Sequence, residues 1–152
     1  MKQTFLLDEN ILYLAIKEVD EHDRPDKTAA QLIRLIGQNC HRITSDHQLW
    51  KRYHSHLDRL LGAVMFHLQA LSFIKQLLHN SAKSLIEVQE PPELPEGIVV
   101  PGEDTHIVRA ALISHPLIVT ADAELKNAIN NQPALGLQAV TPREAIGIAE
   151  QT

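Results

Sequence analysis

Two short apolar runs, each halted by an aspartate where a helix can begin, constrain this chain most. The first is "FLLDEN" (5–10) and the second is "LIVTADAEL" (117–125). Three to four apolar residues in a row, with no polar alternation, suit a strand covered on both faces. An aspartate or asparagine just beyond such a run supplies a helix cap. Strand passing at once into helix, near both ends of one chain, predicts an α/β domain with a mainly parallel sheet.

The remaining elements are set by period and punctuation. Ile11, Leu12, Ala15, Ile16 and Val19 stand at helical spacing and predict a helix over 9–19. Asp26 is a candidate cap for a second helix over 27–37, with Gly37 at its stop. "CHRIT" (40–44) predicts a short strand, and Ser45 or Asp46 a cap for the next helix. From Ser45 to Lys83 there is no proline and the period is helical, with Leu57, Leu61, Val64, Leu68, Leu71 and Leu78 on one stripe. Met65, Phe66, Phe73, Ile74 and Leu77 widen that stripe, so the core or a second subunit must cover it. Self-association, most simply a dimer, is therefore expected.

The stretch "QEPPELPEGIVVPGE" (89–103) holds four of the eight prolines and predicts an extended connection. Helix over 104–114, strand over 116–120, helix over 121–130, strand over 136–140 and helix over 141–151 complete the chain. The last helix carries Thr141 as cap, Pro142 at its first position and Glu144 in its first turn. The sum is one domain over 1–152: a four- to five-stranded, mainly parallel sheet flanked by helices.

Charge and composition narrow the function classes. A net charge of −5 argues against broad, passive nucleic-acid binding. Residues 40–83 nonetheless carry six cations against Asp46 and Asp58, a local +4, and six of the nine histidines. That segment reads either as a solvated helix face or as a phosphate-facing surface. No apolar run approaches the roughly 20 residues of a membrane span. With no signal-like N-terminus either, a cytoplasmic protein is expected. Cys40 is the only cysteine, which rules out an internal disulfide.

In parallel α/β sheets, ligands gather beyond the carboxyl ends of the strands. Asp8 and Asp122 each follow a strand, and Asp104 opens a helix whose next strand ends at Thr120, so all three project to one rim. Clustered carboxylates repel unless protonated or neutralised by a cation. An all-oxygen set favours Mg²⁺ or Mn²⁺, which can activate water and steady charge on a phosphodiester. The competing reading is that each aspartate caps its own helix. A histidine site from His47, His54 and His56 is weaker, because helical residues two apart face different ways. No strand is followed by a glycine-rich phosphate loop.

The order "FLLDEN", "EDTHIVRAAL", "LIVTADAEL", "AVTPREAI" resembles the PIN-domain superfamily, and within it the toxin components of toxin–antitoxin systems. The likeness runs from the first strand to about residue 148. It implies a metal-dependent ribonuclease in which Asp8, Asp104 and Asp122 hold Mg²⁺ or Mn²⁺, Asn10 and Thr120 support them, and activated water cuts RNA. It also implies an antitoxin protein as a partner. One departure stands out. The acid such proteins carry in the helix after the second strand falls at Lys51 here, with Asp46 the nearest carboxylate. A PIN-like binding protein with weak or lost cleavage is the alternative reading.

Overall fold

In the computed structural model of the chain the described residues are 2–63 and 68–151, without the side chains of 61–63 and 68. Five parallel strands form the sheet: β1 (Thr4–Leu7), β2 (Arg42–Asp46), β3 (Ser84–Glu87), β4 (Leu117–Val119) and β5 (Gln138–Val140), in the order β3-β2-β1-β4-β5. β1 lies at the centre, and Phe5, Leu6 and Leu7 are fully buried. A strand covered on both faces has no solvent side, which is why its sequence does not alternate.

Helices α1 (Glu9–Lys17) and α2 (Thr28–Gln38) connect β1 to β2. α3 (His47–Ala63) and α4 (Leu68–His79) connect β2 to β3. α5 (Thr105–Ser114) leads into β4, α6 (Ala123–Asn130) joins β4 to β5, and α7 (Pro142–Glu150) comes last. The predicted capping box is present, with Thr141 and Glu144 bonding each other's backbone N–H groups. No helix among the described residues is long and apolar enough to cross a membrane.

Four sequence expectations need correction. β2 begins at Arg42 rather than Cys40 and runs on through Ser45 and Asp46, so Ser45 does not cap α3. Asp46 does, by accepting the Leu49 N–H at 2.8 Å. Gly37 does not stop α2, which continues to Gln38. Its role is close approach: a Cβ there would stand 2.9 Å from Cζ of Phe73 on α4. The described part of the span 45–83 does not stay helical to Lys83: α4 ends at His79, where Asn80 turns the chain. Asn80 Oδ1 accepts the Ala82 N–H and its carbonyl accepts those of Lys83 and Ser84. That turn delivers β3, a strand not expected from the sequence.

The apolar stripe is partly accounted for. Leu57, Leu60, Leu71, Ile74, Leu77 and Leu78 are buried within the chain, while Phe73 is 38% exposed. Val64, Met65 and Phe66, and the side chains of Leu61 and Leu68, lie outside the described residues. The proline-rich connection holds no strand or α-helix, ends in a 3-10 turn at Gly102–Asp104, and is tied down from both sides. Arg109 donates to the carbonyls of Pro91 and Pro92. Gln132 exchanges two hydrogen bonds with the backbone of Val99.

Candidate functional site

The connections run outward from β1 to β2 and β3, then return across the sheet to β4 and β5. The β1–β4 boundary is therefore where strand order reverses, the place where a parallel sheet opens a crevice at its carboxyl edge. Asp8 directly follows β1 and Thr120 directly follows β4, so the two flank that crevice.

Both residues extend the ladder by one step. The Asp8 N–H donates to the Val119 carbonyl and the Thr120 N–H to the Val140 carbonyl, each at 3.0 Å. Asp8 is 3% exposed and Thr120 is 1% exposed. The Thr120 hydroxyl donates to Asp8 Oδ2 at 2.9 Å and accepts the Asp122 N–H at 3.1 Å. One threonine thus fixes both acids. Asp8 Oδ1 also accepts the Asn10 N–H at 3.3 Å, and Asp122 Oδ1 accepts the N–H groups of Glu124 and Leu125. Capping and rim placement are therefore not alternatives for these two: one carboxylate oxygen caps a helix while the residue sits at the crevice.

Asp104 differs. It occupies the cap position of α5 yet makes no side-chain cap hydrogen bond. Its Oδ2 is buried without a hydrogen-bond partner among the described residues. Burial, and then the negative charges of Asp8, Asp122 and Glu103, raise its pKa to about 6. Capping does not explain this side chain. Asp8 is also raised, first by burial and further by Glu9 and Asp122, against the hydrogen bonds from Thr120 and Asn10. Of the acids predicted to share a rim, Asp104 is thus raised by the charges of Asp8 and Asp122, and Asp8 by that of Asp122.

A cleft of about 590 Å³ opens beside them, lined by Asp8, Asn10, Tyr13, Asp122 and the turn 20–23. That turn adds Asp20, Glu21 and Asp23, so the cleft is strongly acidic. Asp20 is partly neutralised by Arg24, 3.0 Å away. Asp104 is outside this lining.

Four residues that sequence reasoning missed surround the acids. Glu9 bonds His106 at 3.1 Å and lies 3.8 Å from Arg52. Burial works to raise the Glu9 pKa, but His106 and then Arg52 hold it below the usual value. Tyr53 is fully buried and its hydroxyl donates to the Leu7 carbonyl, at the end of β1. Burial, then the charges of Asp8 and Glu9, push its pKa well up and keep it a neutral donor. The pair Glu9–His106 spans 97 positions of sequence, so no local pattern could have shown it.

Neither Asp46, the last residue of β2, nor Lys51 of α3 is among the groups that shift Asp8 and Asp104. Asp46 is buried and its Oδ1 caps α3. Lys51 is exposed and lines a different hollow, with Trp50 and His54. The residues of α3 that meet the end of β1 and the start of α1 are Tyr53 and Arg52.

Among the described residues no three His, Cys, Asp or Glu side chains are grouped as a set that could hold a metal ion. A hard divalent cation does not require one, since Mg²⁺ keeps several waters and takes one or two carboxylates plus a phosphate. The donor chemistry fits such an ion: carboxylate oxygens only, mutual repulsion at Asp104, and one buried oxygen left unbonded.

The fold and crevice define the chain as a parallel α/β protein with an acidic site at its topological switch point. No family model and no curated protein sequence matches it. Among solved structures, a PilT N-terminus domain protein from the hyperthermophilic archaeon Sulfolobus solfataricus P2 is similar. Its identity is 11% and its TM-score 0.48, with 99% of this chain and 96% of that chain covered.

Proposed function

We propose that the chain is a PIN-type endoribonuclease whose Asp8, Asp104 and Asp122 hold Mg²⁺ or Mn²⁺. The observation that carries this reading is Asp104: a carboxylate charged against its neighbours, with a buried oxygen that no described protein group satisfies. The order of the acidic motifs along the chain supports the same reading. Bound there, the ion would supply the acidity that activates water and the positive charge that steadies a phosphodiester under attack.

The chain's own residues prepare the site. Thr120 locks Asp8 and Asp122 in register through one hydroxyl. Tyr53 satisfies the last carbonyl of β1, which fixes the strand end that presents Asp8. Arg52 and His106 compensate Glu9, so the acid beside Asp8 adds less repulsion to the cluster. The acidic turn 20–23 repels an RNA backbone from that wall of the cleft.

Cleavage of single-stranded RNA with Mg²⁺ or Mn²⁺, against a metal-free control, tests the proposal. Asp8→Asn, Asp104→Asn and Asp122→Asn should each remove metal-dependent cleavage. Metal should raise the melting temperature of the wild type by mass action, and the variants should respond less. Equal metal shifts in all four proteins would overturn the site. At the end of β1 and the start of α1, α3 brings Tyr53 and Arg52 rather than a fourth acid, which favours a second reading, an RNA- or protein-binding protein without cleavage. Metal binding without RNA turnover would select that one. As partners we propose RNA, a small antitoxin protein and a second copy of this chain meeting over the 57–78 region, in a cytoplasmic setting. Sedimentation and a neighbouring small reading frame are the direct checks.

A further inference from the structure

The outer face of α3 carries a second, shallow and open hollow whose chemistry is the reverse of the acidic cleft. Its walls are Trp50, Lys51, His54, Ser55, Asp58 and Arg59. Trp50 is packed edgewise against His54, with ring centroids 4.5 Å apart, and against His79 of α4 at 5.4 Å. Perpendicular partners on two sides hold the indole plane in place. His54 Nε2 is buried and has no hydrogen-bond partner among the described residues. Burial, then His79, lowers the His54 pKa, so its ring is neutral near pH 7. Lys51 and Arg59 are exposed on the wall. Asp58, the one acid in the lining, stands 3.9 Å from the Lys75 ammonium.

An aromatic ring held in place beside two exposed cations supplies the parts that take a nucleobase and its phosphates. Indole stacks on any base, and lysine and arginine follow the backbone as charges. We propose that this hollow binds single-stranded RNA, with a base against Trp50 and phosphates on Lys51 and Arg59. It gives a positive foothold to a substrate that the acidic cleft alone repels. The inference takes RNA as the substrate class from the proposed nuclease function but does not depend on cleavage.

Trp50 is the only tryptophan in the chain, so tryptophan fluorescence, excited beyond the tyrosine band, reports on this hollow. Titration with a single-stranded ten-nucleotide RNA should quench it, and a mononucleotide should quench it more weakly. That ranking separates a strand-binding site from one for free nucleotides. Labelled-RNA anisotropy should weaken about tenfold in Trp50→Ala, within the range for losing one stacked base. In Lys51→Ala/Arg59→Ala the salt dependence of the affinity should flatten by about 1.4, for two phosphate contacts at about 0.7 each. Quenching should persist in Asp8→Asn and Asp122→Asn, which separates failure of this site from failure of the nuclease. RNA that binds with unaltered Trp50 fluorescence and unaltered salt slope in the double variant overturns the proposal. So does a polyglutamate peptide that quenches as strongly as RNA, which would make the hollow an acidic-protein site.

Discussion

At the scale of single residues, Asp104 shows how an unpaired group reveals a site. Its folded pKa of about 6 lies above the ordinary 3.8, so the folded state prefers it protonated. The penalty is present in full above about pH 6 and fades as pH falls toward the unfolded value. Metal-free protein should thus melt at a higher temperature at pH 5.5 than at pH 7.5 as far as this group decides it. Asp104→Asn should flatten that slope, as scanning calorimetry would show. The placement of Asp8 and Asp122 was legible in the sequence, because a carboxylate after a strand is a local signal. That Asp8 and Asp122 would be held by Thr120 was partly legible, since Thr120 lies two positions from Asp122. Glu9, Arg52, Tyr53 and His106 were not, because their meeting depends on how α1, α3 and α5 pack.

Among the elements, those punctuated by caps and prolines came through: β1, α1, β4, α6, β5 and α7 all lie where the pattern put them. β3 did not. "SLIE" (84–87) has two apolar residues and comes after a long helical period, so nothing local distinguishes it from a frayed helix end. A long-range clamp at its edge seats it instead. Lys83 Nζ donates to the carbonyls of Ile36 and His41 at 3.1 and 3.2 Å, and also to that of Asn39. One ammonium gathers the exit of α2, the entry to β2 and the entry to β3. Lys83→Met should destabilise the fold by about 1.5–3 kcal/mol, the range for hydrogen bonds to charged groups. Urea titration reads that loss. An unchanged midpoint would mean that the three carbonyls are satisfied as well by water.

The whole molecule is bound together through a buried histidine. His41 accepts the Gln3 N–H at Nδ1 and bonds the Ala149 carbonyl through Nε2 at 2.9 Å. It joins the chain entering β1 to the end of α7, and α7 in turn packs on α2. Removing residues 141–152 would uncover α2 and strip His41 of that carbonyl. Followed by circular dichroism, the full chain should melt cooperatively and such a truncation should not. Cooperative unfolding at an unchanged temperature would show that α7 is an appendage.

The position of β1 also has a consequence for the growing chain. β1 is made first, and β2 can pair with one of its edges once residue 46 exists. Its other edge waits for β4, more than a hundred residues later. Until then a nascent chain carries Phe5, Leu6 and Leu7 beside an open backbone edge, the kind of surface that recruits stray strands or chaperones. The insertion that closes this edge also sets Thr120 and Asp122 against Asp8. On the ribosome the acidic crevice therefore has no precursor: sheet closure and site assembly are a single late event, and a chain released before it carries the acids without the crevice.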